Sequence, residues 1–479
     1  MNYKQTEEYV LNIPKFRTEG SLEQTKAFYE FLGKPGKSAS IVHVAGTNGK
    51  GSVCAYMNSV LTEEGYRVGM FTSPHLVSAR ERIRVKDNLI SEQEFVETFR
   101  KLMEQIERYN ENIEENSGLK AEGGIKENQG KSVKKTLTDN LDKEENLLIQ
   151  EKRDEKRSEI QERMKYVPTF YEFLFFMAML YFEEQQTDII ILETGLGGRL
   201  DATNVIDAPK VAVITEIGKD HMEYLGNTFE EIAAEKAGII KKGSVVVYSA
   251  NRQESSYVIE RKAKELDVLC KSVEKLGNRD YRFVDKKIDF SFYSRYYGYI
   301  PIRLSTNAVY QIENARLALT ALEETGMKIS KESLQIGMET CRWEGRMEEI
   351  LPNVFLDGAH NEDGIDAFLS TVRNDGCAGK RWLLFSVVAD KEYILMKEKL
   401  TESELFAYIY ASPLKTSRGI PKEELENTMI DLQVRISDSA YEGLQEILVL
   451  KQEKDFVYVA GSLYLVGEIK EKFGKARQR

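Results

Sequence analysis

The chain has 479 residues, 42% of them hydrophobic, and 67 Lys and Arg against 78 Asp and Glu give a net charge of −11. Length and composition fit a globular protein of about two to four domains, and the acidic balance without a basic tract excludes an electrostatic grip on nucleic acid or an anionic membrane. Cys54, Cys270, Cys341 and Cys377 form no CxxC pair; that spacing excludes a thiolate zinc motif or a disulfide framework and points to a reduced, cytoplasmic setting.

Taken in order, residues 1–20 mix charge with aromatics and show no apolar signal stretch. Ser21 to Leu32 has the spacing of an amphipathic helix, and the turn Gly33-Lys34-Pro35-Gly36 delivers the chain to a first strand. That strand, Ile41-Val42-His43-Val44-Ala45, runs into Gly46-Thr47-Asn48-Gly49-Lys50-Gly51-Ser52, and Val53 to Leu61 reads as a helix. A glycine loop between strand and helix cradles phosphate with backbone N–H groups and the helix dipole, and Lys50 adds a point charge. The usual pattern has Ser or Thr directly after the lysine as a magnesium ligand, whereas Gly51 stands there and Ser52 follows. A metal is therefore expected to be held from elsewhere.

Tyr66 to Phe71 predicts a second strand, ending in Thr72-Ser73-Pro74-His75-Leu76, where proline turns the chain and exposes Ser73 and His75. Ser91 and Glu94 form a capping box for a helix reaching about Tyr109. Asn110 to Lys165 has no aromatic residue and dense charge, the composition of a surface insertion, with a solvated helix expected from Asp142 to Met164. Thr169 and Glu172 cap a core helix whose apolar run, Phe173 to Phe182, is too short to span a bilayer.

Two apolar strands follow, Asp188 to Leu192 and Val211 to Thr215, of the kind buried in a parallel sheet. The first ends in Glu193 to Asn204 and the second in Glu216-Ile217-Gly218-Lys219-Asp220-His221. Thr228 and Glu231 cap a helix carrying Glu235 and Lys236, and Val245 to Tyr248 is a further strand in an otherwise irregular stretch, Lys242 to Ser305. Gln311 to Glu324 is a helix, and Trp343-Glu344-Gly345-Arg346 reads as a hinge. Strands at Val354 to Leu356, Trp382 to Val387, Ala407 to Tyr410 and Phe456 to Val459 then mark a second α/β pattern, whose first strand ends in Asp357-Gly358-Ala359-His360-Asn361. Polar turns at the carboxyl ends of parallel strands are where such sheets bind ligands.

The phosphate loop, Thr72 to Leu76, Glu193 to Asn204, Gly218 to Leu225, Glu235 to Ile240, Asp357 to Asn361 and Gly461-Ser462-Leu463-Tyr464-Leu465 together resemble, in this order, the folylpolyglutamate synthase and dihydrofolate synthase family of the Mur ligase superfamily. The resemblance implies an α/β protein: a P-loop ATPase domain with a mostly parallel sheet over 1–340, a hinge at 341–346 and a smaller Rossmann-like domain over 347–479. It implies an ATP-dependent ligase that adds L-glutamate to reduced folate or dihydropteroate through an acyl phosphate, releasing ADP. Gly46, Thr47, Asn48, Gly49, Lys50, Gly51 and Ser52 would hold the phosphates, and Asn314, Arg346, Asp357 and His360 would be further nucleotide contacts. Ser73, Glu193 and His221 would ligate two magnesium ions. Lys236 matches a lysine carbamoylated by carbon dioxide, and Lys50, Lys236, His221 and Arg346 would be catalytic. A monomer is implied. Glu344 departs from the family, which commonly has proline there and so a stiffer hinge.

Beside these stand other readings of single residues: Lys236 as a surface partner of Glu235, His221 as a turn histidine, His43 as structural, His75 as either, and Cys54 as helix packing. Rival functions are a cell-wall Mur ligase and, from another class, a P-loop kinase or an NTP-driven switch.

Overall fold

A computed structural model describes the chain except residues 16–21, 117–164, 278, 389–392, 417, 430–433 and 478–479. The described residues form two compact units, Met1–Pro35 with Gln93–Leu180, and Gly36–Glu92 with Tyr181–Arg479. The first is helical. Its helix Tyr3–Leu11 opens on a capping box between Asn2 and Gln5. Phe28 of helix Leu22–Phe31 lies edge-on to Phe176 (4.9 Å) and Tyr109 (5.1 Å), so aromatic rings supply much of this unit's core. Glu172 and Thr169 make the expected capping box, and the Glu172 carboxylate also accepts the Thr25 hydroxyl.

The helix expected to end near Tyr109 runs on, as Glu92–Asn116. Asn110 and Tyr166 exchange two hydrogen bonds, Tyr166 N donating to Asn110 Oδ1 (2.8 Å) and Asn110 Nδ2 to Tyr166 O (3.2 Å). The base of the insertion is thus stapled where the chain leaves and returns. The helix expected over 142–164 lies outside the described residues.

The second unit contains an eight-stranded sheet in the order Asn88–Leu89, Ile83–Val85, Val68–Phe71, Ile189–Glu193, Ser40–Ala45, Val211–Ile214, Val245–Ser249, Cys270–Val273. The last six strands of this order are parallel and the first two antiparallel additions. Ile189–Glu193 is buried at all five positions, as the unbroken apolar run requires in a sheet covered on both faces. Helices Lys50–Glu63 and Tyr310–Glu324 cover one face, joined by the antiparallel strands Tyr281–Val284, Lys287–Ser294 and Gly298–Leu304.

A six-stranded sheet follows, in the order Glu348–Leu351, Val354–Leu356, Phe456–Ala460, Arg381–Phe385, Tyr408–Ala411, Val434–Ile436. Only its first strand is antiparallel. The protein is therefore α/β, with a large mostly parallel sheet and a second α/β sheet, as expected.

Candidate active site

Strand Ser40–Ala45 ends at Gly46, whose φ is +151°, and Gly49 (φ +92°) precedes helix Lys50–Glu63. Close approach demands glycine here: a Cβ on Gly46 would fall 1.8 Å from Thr215 Oγ1, and one on Gly49 would fall 2.2 Å from Asn314 Oδ1. The loop is anchored from the next strand, because Thr47 N and Asn48 N both donate to Glu216 O (2.8 and 3.2 Å) and the Thr215 hydroxyl donates to Asn48 O (2.7 Å). Lys50 Nζ folds back to donate to Gly46 O (3.1 Å) and Thr47 O (3.2 Å). Gln311 joins two expected nucleotide contacts: its Nε2 donates to Ser52 Oγ (3.2 Å) and its Oε1 accepts from Asn314 Nδ2 (3.0 Å).

Lys236 is 3% exposed at the end of helix Phe229–Lys236, and its Nζ donates to the same Gly46 carbonyl (2.7 Å). Burial, then the neighbouring Lys50 charge, lowers its pKa to about 7, while Asp220 and Asp201 oppose that shift. The surface-pair reading of Lys236 is thereby excluded, since Glu235 pairs instead with Arg199 (2.9 Å).

Glu193 ends its strand 2% exposed and accepts from Ser73 N (2.9 Å). Burial raises its pKa; Lys50, the Ser73 N–H, Arg346 and Arg82 pull the other way. His221 sits at the left-handed start of a short turn (φ +51°), its side chain 41% exposed and its Nε2 3.8 Å from Asp220 Oδ1. A serine hydroxyl, a carboxylate and one imidazole suit a hard divalent ion. Among the described residues no three His, Cys, Asp or Glu side chains converge as a metal cage.

The second sheet contributes Asp357 and His360 from the turn after Val354–Leu356. Asp357 is 3% exposed; its carboxylate accepts from Tyr310 Oη (2.7 Å), Met347 N (3.0 Å) and Ala359 N (2.9 Å). Burial raises its pKa and Arg346 opposes this, so Arg346 bears on both Asp357 and Glu193. The structure thus places Asp357 as the anchor of its own turn. His360 Nδ1 donates to Gly358 O (2.7 Å) and its Nε2 lies 3.6 Å from Asp220 Oδ2.

Three residues go unnoticed in the sequence reading although they sit inside the quoted motifs. Asp220 faces His221 and His360, and Asn361 exchanges amide bonds with Asn48. Asp201 pins the Glu193 to Asn204 loop by accepting from Gly195 N and Leu196 N (2.8 and 2.9 Å). An acid beside a histidine at a strand's end, and a carboxylate behind a glycine run, were the available signals. His43 is structural as read: fully buried, its Nε2 is 2.7 Å from Thr203 Oγ1, and burial, with Lys241 nearby, lowers its pKa to about 3. Cys54 is fully buried in the core, and Arg82 Nε donates to His75 Nδ1 (2.8 Å).

The Mur ligase middle domain family matches residues 129–322. The chain is 32% identical to a dihydrofolate synthase/folylpolyglutamate synthase of Bacillus subtilis (strain 168), over 98% of this chain and 99% of that one. Among solved structures it is similar to the Thermotoga maritima folylpolyglutamate synthase, with 27% identity, TM-score 0.75, and coverage of 99% and 97%. It shares its fold with E. coli FolC in complex with DHPP and ADP, at 24% identity, TM-score 0.77, and coverage of 100% and 99%.

Proposed function

The chain belongs to the dihydrofolate synthase/folylpolyglutamate synthase family, and we propose that it is an ADP-forming ligase joining L-glutamate to reduced folate and to dihydropteroate. The observation that carries this reading is the meeting of Lys50 and Lys236 on one carbonyl, that of Gly46, with Glu193 buried within the field of Lys50. A P-loop kinase needs Lys50 but gives the buried Lys236 no work.

Forming an amide in water is uphill until the carboxylate is activated. The folate or pteroate carboxylate attacks the γ-phosphorus of ATP, giving an acyl phosphate and ADP. The glutamate amine then attacks the acyl carbon, and the C–O bond breaks to release phosphate. Lys50 and Arg346 lower the repulsion between anionic nucleophile and phosphate, and no protein nucleophile is required. Ser73, Glu193 and His221 would hold Mg²⁺, two ions in this scheme, which when bound neutralises phosphate charge. Lys236, with its pKa lowered by burial to about 7, has a substantial neutral fraction at neutral pH and so can take up carbon dioxide; the carbamate would turn a buried cation into an anion able to support the metal.

The Asp357 to Asn361 turn closes the site from the side of the second sheet and excludes water that would hydrolyse the acyl phosphate. Residues 341–346 are the proposed hinge between a domain over 1–340 and one over 347–479. Lys470 Nζ lies 2.9 Å from Glu344 Oε2 and 2.7 Å from Glu348 Oε1, an ion pair that ties the proposed hinge to the strand after it. Among the described residues no helix is long and apolar enough to cross a membrane; the proposed setting is the cytoplasm and the proposed state a monomer.

Oxygen-18 in the dihydropteroate carboxylate tests the mechanism. Acyl phosphate formation carries one labelled oxygen into the released phosphate, whereas unlabelled phosphate with amide formed would sink it.

A further inference from the structure

Helix Glu362–Arg373 begins at Asn361, whose Oδ1 accepts from Gly364 N (2.9 Å) and caps the helix. The same side chain reaches the phosphate loop: Asn361 Nδ2 donates to Asn48 Oδ1 (3.0 Å), and Asn48 Nδ2 donates back to Asn361 Oδ1 (3.2 Å). Two residues on, Asp363 Oδ1 accepts from Arg252 Nη2 (2.7 Å). Arg252 Nε donates to Ile217 O (3.0 Å), and its guanidinium lies 4.2 Å from the centre of the Phe229 ring. Gly218 makes room for this contact, since a Cβ there would fall 2.2 Å from Asp363 Oδ2. One arginine thus joins the turn after strand Val211–Ile214 to the first turn of a helix in the second sheet's layer.

We propose that Arg252 and Asp363 are a positioning pair that seats the amino end of helix Glu362–Arg373 on the Ile217–Asp220 turn and so holds His360 and Asn361 beside the phosphate loop. The inference rests on the ligase reading and adds two residues to it, neither of which touches the reacting atoms. His360 and Asn361 directly precede the helix that Asp363 anchors, and the turn that Arg252 grips through Ile217 also carries Asp220, which both contact. Without the pair, Lys50 and the glycine loop still hold nucleotide. The second layer then spends part of its time away from the phosphates, and water reaches the activated carboxylate.

The test uses the full chain with Arg252→Ala, Asp363→Ala, the double alanine, and the exchange Arg252→Asp with Asp363→Arg. The readouts are kcat, KM for ATP, and the ratio of ADP released to amide formed. Each single variant is expected to lower kcat about 10-fold, to leave KM for ATP within about 3-fold, and to raise the ADP-to-amide ratio above that of the unsubstituted chain. The double alanine should cost no more than either single, and the exchange should recover part of the loss. Unchanged kcat and ratio in both singles, or a double alanine costing the product of the singles, would overturn the proposal. Asp363→Asn covers the event that an alanine variant fails to fold. A spin-label distance between exposed positions 261 and 373 reads the seating without any turnover. It should broaden in Arg252→Ala, and an unchanged distribution overturns the pair. An unsubstituted chain that forms no amide would instead remove the ligase reading.

Discussion

Lys236 shows how a single position can be tuned by burial. Its folded pKa of about 7 lies below the ordinary 10.5, so between these values the unfolded chain binds the extra proton and stability rises with pH. Below pH 7 the full cost of burying the cation is present. Lys236→Met should therefore raise the melting temperature most below pH 7, in buffer free of carbon dioxide, and least near pH 10.5. An equal gain at both pH values would show that the amine is not depressed. Carbon-13 bicarbonate should give a carbamate resonance in the unsubstituted chain that Lys236→Ala lacks, with the signal growing as pH rises through 7. Glu193→Gln keeps the shape and removes the charge, so turnover should fall about 100-fold or more while the protein stays folded. Retained turnover would take Glu193 out of the proposed metal site. At this scale the sequence was most legible where a local backbone demand selects the residue: Gly46 and Gly49 mark the tight turn between strand and helix because no side chain fits there. Arg252 gave no such sign, since its partners Ile217 and Asp363 lie 35 and 111 positions away.

Elements were readable in proportion to how much of their pattern is local. Ile189–Glu193 and Val211–Ile214 are unbroken apolar runs ending in polar turns, and both lie in the parallel sheet. Lys287–Ser294 and Gly298–Leu304 lie in the stretch whose sequence reads as irregular, although Ile288, Phe290 and Phe292 alternate with outward residues, as do Ile300, Ile302 and Leu304. The tyrosines around their turn hid that period of two by adding aromatic side chains on the outer face. Short edge strands such as Asn88–Leu89 hold too few residues to show any period. The staple between Asn110 and Tyr166 leads to a prediction of its own. Replacing residues 117–164 by a short Gly-Ser linker should leave turnover within about 3-fold, because Asn110 and Tyr166 already meet on either side of the segment. A larger loss would give the insertion a role in the reaction. Lys470→Ala removes both carboxylate contacts at the proposed hinge and should cost about 1 kcal/mol or less in stability, read from chemical unfolding.

For the molecule as a whole, the decisive arrangement is that the carboxyl edge of the large sheet and the carboxyl end of strand Val354–Leu356 in the second sheet share side-chain contacts, through Asn48 with Asn361 and Asp220 with His360. The order of motifs along the chain implied such a meeting but not its means. Which side chains would bridge the layers depends on distances that no local pattern encodes. The account therefore stands or falls on a coupled reaction rather than on any one contact. Its most direct test is ADP release measured with dihydropteroate, with tetrahydrofolate or with neither, each with and without L-glutamate, and with the product identified by mass. The account predicts sustained ADP release only when a pteroate or folate acceptor and glutamate are both present, matched by an acceptor heavier by one glutamyl group. ADP release that ignores glutamate, or a phosphorylated product that accumulates without it, would contradict the account.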